Sequence, residues 1–279
     1  MEPSFKTIGI IGGNGLIGSF LAGVFKKAGF TVLISDLKTK LTNREVIEKS
    51  GIVVFSVPLH LMEKVILESI LFTRKDQLLL DVASIKTPAI NAMLRSKAQV
   101  LGLHPMFRPS PSGLKNQNIV MCPARVKPKL LKIICDVFRK QGAVITKMSA
   151  KKHDELMAVV QALTHFRAMV FGNTLRRLKV KIPDTLSVMS PVYRLEFDLM
   201  GRIFAQDPHL YAEIQMGNPS GVPALAAMAK ETRSLQKIIE RQDVRTFLKK
   251  FKNTAKYLAK HTDAALEESN KLLTFFRPQ

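Results

Sequence analysis

The segment 8-IGIIGGNGLIGSF-20 sets Gly13, Gly15 and Gly18 in G-x-G-x-x-G spacing directly after an apolar, strand-like run. That spacing suits a dinucleotide. Gly13 permits a tight turn, Gly15 lets the backbone approach a pyrophosphate, and Gly18 allows a helix to pack closely on the strand. Asn14, Leu16 and Ile17 complete the turn, whose unpaired amides at a helix N-terminus hold phosphate oxygens. Eighteen residues past Gly18 a second strand-like run ends at Asp36. A carboxylate there accepts hydrogen bonds from a ribose 2′-hydroxyl and repels a 2′-phosphate, so NAD is expected over NADP, with Lys38 and Lys40 softening the preference. A second reactive candidate is His104 in 101-LGLHPMFRPS-110. An imidazole with an ordinary pKa of about 6.5 accepts a proton near neutral pH. The fixed backbone of the adjacent Pro105 limits where the ring can point.

These residues need a scaffold, and the first half of the chain supplies one. Strand-like runs occur at 7–11, 31–35, 52–57, 78–81, 100–103, 118–121 and 143–147. Helical patterns such as 18–27, 61–70 and 129–141 lie between them. This alternation predicts βαβ units in a mostly parallel, doubly wound sheet of Rossmann type with helices on both faces. Ligands then bind beyond the carboxyl ends of the strands, which is where His104 is expected. After Lys147 the strand runs stop. Ser149 is a plausible N-cap, with Asp154 and Glu155 in the first turn of a long helix. Further helical stretches cover about 184–205, 208–216, 224–241 and 243–275. The expected division is therefore a dinucleotide-binding domain over 1–148 and an all-α domain over 149–279.

The bulk composition narrows the class. With 279 residues and 46% hydrophobic content the chain can bury a large core. It has no apolar run long enough for a transmembrane helix and no signal-peptide pattern, and its two cysteines form no disulfide framework, so a cytoplasmic location is expected. The formal charge of +21 favours anionic ligands. The basic residues are scattered, however, with no zinc-finger or aromatic RNA-binding signature, so nucleic acid is not an expected partner. No His, Cys, Asp or Glu cluster has metal-ligand spacing.

Further stretches carry a family resemblance: 55-FSVPLH-60, 80-LDVASIKT-87, 101-LGLHPMF-107, 153-HDELMAVVQALTHF-166 and 190-SPVYRLEFDLMGRIFAQDPHLYAEI-214. In these the chain resembles the prephenate dehydrogenases, most closely the dehydrogenase half of the enterobacterial chorismate mutase–prephenate dehydrogenases. The resemblance implies oxidative decarboxylation of prephenate to 4-hydroxyphenylpyruvate in tyrosine biosynthesis, by a homodimer whose helical domain forms the interface and whose active site lies between the domains. It assigns the catalytic base to His104 and a hydrogen bond to base and substrate to Ser84. Arg202 would clamp a substrate carboxylate, which a guanidinium fork does well. His165 and Gln161 would contact substrate, Lys86 would lie near substrate or cofactor charge, and Ser56 and Pro58 would line the cofactor site. Arg202 also has a local alternative, an ion pair with Asp198. Arg194 is expected to be structural, and His153 to cap a helix or serve an interface. Arg108 departs from the family, which has glycine there; a glycine at positive φ would make arginine strained. The same chemistry on arogenate or 4-amino-4-deoxyprephenate, or a non-catalytic nucleotide-binding protein, are the alternatives.

Overall fold

A computed structural model describes residues 3–276. Seven strands form one sheet: β1 (Thr7–Ile11), β2 (Thr31–Ser35), β3 (Ile52–Phe55), β4 (Leu78–Asp81), β5 (Gln99–Pro105), β6 (Asn118–Arg125) and β7 (Val144–Lys147). Their order is β2-β1-β3-β4-β5-β6-β7. β1 to β5 run parallel, whereas β6 pairs antiparallel with β5 and parallel with β7. Strand order reverses between β1 and β3, which is where an open α/β sheet forms a ligand crevice.

Helices cover both faces, as the near-continuous apolar strands require. On one side α1 (Leu16–Lys27) packs over Ile8, Ile10 and Leu101, together with a later helix at Pro128–Arg139. On the other lie α2 (Asn43–Lys49), α3 (Leu59–Ser69) and α4 (Lys86–Leu94), burying Ile47, Ile66, Ile90 and Met93 against Phe55 and Leu79. The helix at Pro128–Arg139 is α5. Of these, α2 is announced by a capping box: Thr42 accepts from the Glu45 amide at 3.2 Å, and Glu45 accepts from the Thr42 amide at 2.8 Å.

The chain then continues as α6 (Ala150–Met157), a π-helical turn over Ala158–Leu163, and α7 (Thr164–Arg177). Ser149 caps α6 as its type predicts, accepting from the Lys152 amide at 3.2 Å. Six helices follow: α8 (Ile182–Ser187), α9 (Pro191–Phe204), α10 (Pro208–Gly217), α11 (Gly221–Glu240), α12 (Val244–Leu258) and α13 (His261–Leu273). The stretch expected as one helix over 184–205 is two, because Pro191 starts α9 with Ser190 as its cap. The stretch over 243–275 breaks at Ala259, which has φ +47.

Two compact units result. Of the described residues, the first holds those up to 157 together with 216–218, and the second holds 158–215 and those from 219 on. The chain first leaves the sheet-bearing unit after Met157, because α6 packs on α4 and β6. Among the described residues no helix is long and apolar enough to cross a membrane.

Candidate active site

The glycine turn follows β1, at the crevice between β1 and β3. The sequence assigns its tight bend to Gly13, but Gly12 has the positive φ, +78°, and a Cβ there would lie 2.4 Å from the Ser56 carbonyl oxygen. Gly13 is needed for a different reason: a Cβ would meet Ile34 Cγ2 at 2.4 Å. Gly18 packs helix on turn as expected, since a Cβ would lie 2.3 Å from the Gly12 carbonyl oxygen. Gly15 is another matter. Its backbone is extended, and an added Cβ would meet only ordinary contacts, the nearest at 3.4 Å. Nothing in the protein requires glycine there. A dinucleotide pyrophosphate brought against that backbone would need the room that glycine leaves.

Gly15 is also the N-cap of α1 and offers no side-chain oxygen, so the first-turn amides of Leu16, Ile17 and Gly18 stay open to an anion. Asp36, just past β2, accepts from the Asn14 amide at 2.9 Å through Oδ2 and from the Leu37 amide at 2.8 Å through Oδ1. The carboxylate is therefore fixed at the edge of the turn. Ser56 and Pro58 follow β3 across the same crevice, with the Ser56 amide donating to the Ile11 carbonyl at 2.8 Å.

His104 is the penultimate residue of β5, inside the strand rather than beyond it, and is 3% exposed. Its Nδ1 lies 2.8 Å from Nε2 of His153, and Nδ1 of His153 lies 2.8 Å from Oδ1 of Asp154. The two rings meet edge to face with centroids 5.0 Å apart. His153 and Asp154 are thus neither capping residues of α6 nor first-turn acids. Both are buried, and Asp154 instead caps α4, accepting from the amides of Lys86 at 2.8 Å and Thr87 at 2.9 Å. The Asn218 side chain donates to the Asp154 carbonyl at 2.8 Å.

This chain of bonds fixes where protons sit. Burial alone would raise the Asp154 pKa, but the donors from His153, Lys86 and Thr87 outweigh it and hold the carboxyl below its ordinary value. An ionised carboxylate only accepts, so His153 Nδ1 carries hydrogen. With that hydrogen on Nδ1 and none on Nε2, His153 would accept from His104 Nδ1, and the lone pair of His104 would fall on Nε2. Burial, reinforced by the Lys86 charge, pushes the His104 pKa well below the ordinary value, against a smaller opposing pull from Asp154. The ring is a neutral base at neutral pH.

Lys86 corrects an expectation. It is fully buried; its ammonium donates to Asp81 and, at 2.6 Å, to the Leu103 carbonyl, so it faces neither substrate nor cofactor. Gly102 makes the room, because a Cβ there would lie 3.1 Å from Lys86 Cδ and 3.2 Å from Asp81 Oδ1. Burial raises the Asp81 pKa despite the pull of Lys86. Lys86→Met would remove the ammonium from Asp81 and from the Leu103 carbonyl, leaving the buried carboxyl with the Ala83 amide and no cation, and is expected to cost about 3–5 kcal/mol. Urea midpoints check this: a loss under about 1 kcal/mol would contradict the buried pair, and the Lys86→Met, Asp81→Leu double variant should regain part of the loss.

Ser84 sits half-buried in the turn between β4 and α4. Ile85, not Ser84, is the N-cap of α4. With Asp154 capping that helix, the Ser84 hydroxyl is spared the task. Arg108 is exposed and is not among the positive-φ residues, so the arginine in place of glycine carries no backbone strain. Phe107, beside it, packs edge to face on Phe20 of α1 at 5.7 Å, joining the loop after His104 to the glycine-turn helix.

The remaining expected residues belong to the second unit. Arg202, on α9, is exposed and forms no ion pair among the described residues. Asp198 pairs instead with Arg194 at 2.9 Å, one turn earlier on α9, which removes the local alternative for Arg202. Gln206 bridges the Arg202 carbonyl (2.8 Å) and the Tyr211 hydroxyl (2.9 Å), and the Tyr211 ring meets His165 edge to face at 4.9 Å. Burial lowers the His165 pKa, and its Nδ1 is buried without a hydrogen-bond partner among the described residues. Gln161 lies half-buried on the π-helical turn, which interrupts the 3.6-residue period that would have set it directly below His165.

Comparison with known proteins is consistent across both units. Residues 26–147 match the family model described as "Prephenate dehydrogenase, nucleotide-binding domain", and residues 149–253 the one described as "Prephenate dehydrogenase, dimerization domain". A T-protein from Enterobacter agglomerans is 33% identical over 97% of this chain and 72% of its own length. A probable arogenate/prephenate dehydrogenase from Methanocaldococcus jannaschii is 31% identical over 97% of this chain and 65% of its own. The fold matches that of A. aeolicus prephenate dehydrogenase, solved with hydroxyphenyl propionate and NAD+, with a TM-score of 0.73 at 19% identity, covering 93% of this chain and all of that one.

Proposed function

The chain belongs to the prephenate dehydrogenase family, and we propose that it is an NAD-dependent dehydrogenase acting on prephenate, with His104 as its base. The observation that supports this reading most is the buried His104–His153–Asp154 chain at the carboxyl end of β5, in which a hydrogen on His153 Nδ1 alone leaves the His104 lone pair on Nε2. The Gly12–Gly18 turn would hold the pyrophosphate of a dinucleotide, whose nicotinamide would supply the acceptor for the hydride that leaves C4 of the substrate ring. His104 Nε2 takes the C4 hydroxyl proton as that carbon is oxidised to a ketone. The imidazolium that forms is stabilised through His153 by the Asp154 carboxylate. Loss of the ring carboxylate as carbon dioxide then sends its bonding pair through the ring to the C4 oxygen, which is reprotonated as the ring becomes aromatic. The Ser84 hydroxyl is assigned a hydrogen bond to that oxygen, the Arg202 guanidinium a substrate carboxylate, and His165 and Gln161 further substrate contacts. The helical half supports a homodimer.

Asp36 carries the cofactor preference. Its oxygens keep lone pairs for a ribose hydroxyl beyond the two amides they already accept from, and its charge disfavours a 2′-phosphate. The test is the initial rate at 340 nm with prephenate, arogenate and 4-amino-4-deoxyprephenate, each with NAD and then NADP. Prephenate with NAD is expected to be fastest. Asp36→Asn is expected to reduce the NAD over NADP preference about tenfold or more, the worth of one charge-assisted hydrogen bond. An unchanged ratio removes Asp36 from cofactor selection, and a faster rate on either amino compound reassigns the substrate.

A further inference from the structure

At the end of the sheet away from His104, where β4 and β5 begin and β6 ends, lies a cavity of about 870 Å³. Its apolar wall is made by Phe5, Val126, Leu130 and Ile133. Around it stand Lys75, Lys97, Lys127 and Lys129, and none of the four forms an ion pair among the described residues. The single carboxylate at the rim, Asp76, pairs with Arg74 at 3.4 Å. Arg125 is committed elsewhere: its guanidinium donates to the carbonyls of Ser96 at 2.6 Å and Ala98 at 2.9 Å. The same mouth receives the first turn of α5, twelve residues long, whose N-cap Lys127 gives no side-chain cap and whose Pro128 has no amide to satisfy.

Four ammonium groups and a positive helix end around one apolar hollow repel each other, and among the described lining residues only Asp76, already paired with Arg74, offers a carboxylate. The repulsion is relieved by a ligand that brings negative charge and apolar surface together. We propose that this cavity is a second ligand site, taking a small amphipathic anion: an aryl or short alkyl group bearing a phosphate or carboxylate. The volume lies in the ordinary range for small-molecule sites. The site is distinct from the cofactor crevice. Its Gln99 and the base His104 are at opposite ends of β5, five residues or about 17 Å apart.

The experiment uses the full-length protein saturated with NAD, so that the glycine turn is filled, and titrates phenyl phosphate calorimetrically. Inorganic phosphate and benzyl alcohol serve as the charge-only and apolar-only controls. Phenyl phosphate is expected to bind at least tenfold more tightly than either control. The Lys97→Glu, Lys129→Glu variant is expected to lose that binding at least tenfold with thermal midpoint and turnover unchanged, both lysines being exposed and outside the catalytic residues. Octyl phosphate binding as well as phenyl phosphate would extend the class to alkyl anions and support the site. Equal affinity for inorganic and phenyl phosphate would overturn the proposal, leaving adventitious ion binding on surface lysines. Undiminished phenyl phosphate binding to the double variant would overturn it as well.

Discussion

His104→Asn protein is expected to fold and bind NAD yet turn over substrate roughly 10²–10⁴-fold more slowly, the usual worth of a positioned general base. Asparagine is close in size to the proximal half of the ring and can donate to His153 from its amide, so the buried strand keeps its neighbour while the Nε2 lone pair disappears. Progress curves at 340 nm give the turnover, and quenching or calorimetric titration with NAD confirms an intact cofactor site. Turnover within threefold of the parent would remove His104 from the mechanism. The parent should also show a characteristic pH dependence. Because burial and Lys86 depress the His104 pKa, the acid limb of kcat/KM should fall below the ordinary histidine value of about 6.5. The sign for stability is the same. At high pH the ring is neutral whether folded or unfolded. As pH falls below about 6.5 the unfolded chain takes up the proton first, so stability drops from there down through the depressed folded pKa.

Asp154→Asn is the second large effect, and it acts at two places. The carboxylate accepts from His153 and from two amides of α4. An amide in its place must turn an N–H toward one of those donors, which is expected to cost about 1–3 kcal/mol of stability. It also no longer requires hydrogen on His153 Nδ1. The ordered tautomers relax, and Nε2 of His104 is left protonated in much of the population. Turnover is expected to fall by about 10²-fold or more, with the acid limb of the pH profile displaced, which a purely structural loss would not do. A variant whose stability falls while kcat and the pH profile hold would reduce Asp154 to a helix cap. His153→Phe separates the two roles: it keeps the cap on α4 and breaks only the link to the base.

The contrast between what could and could not be read ahead of the fold is physical. The central strands announce themselves because strands buried on both faces are written as short, near-continuous apolar runs, as in 52-IVVF-55 and 78-LLLD-81. The glycine turn is equally plain, though its sharpest bend belongs to Gly12, which the G-x-G-x-x-G pattern passes over. The polar network behind His104 could not be read in this way. Asp154 meets the amide of Lys86 across 68 positions of sequence, and His104 meets His153 across 49. Only the packing of α6 on α4 brings them together. A buried lysine leaves no local signal either: Lys86 in 84-SIKT-87 reads as a surface or ligand-facing charge until Asp81 and Gly102 are seen to enclose it. The nearest available cue was His153-Asp154 itself, an adjacent ring and carboxylate in a segment otherwise rich in exposed lysine.

Cys122 and Cys135 are buried on opposite sides of the sheet. Cys122 sits in the core beneath α3 and α4, with burial pushing its thiol up to about 12, and Cys135 is on the sheet-facing side of α5 with its Sγ 3.5 Å from Met121 Sδ. Neither sulfur is a nucleophile in the closed protein, since the thiolate is the reactive form and both are shut from solvent. A thiol reagent therefore gains access only when one layer lifts from the sheet. The two cysteines amount to a pair of timers, each set to the opening rate of its own side of the molecule, and the faster of the two names the face from which this fold comes apart.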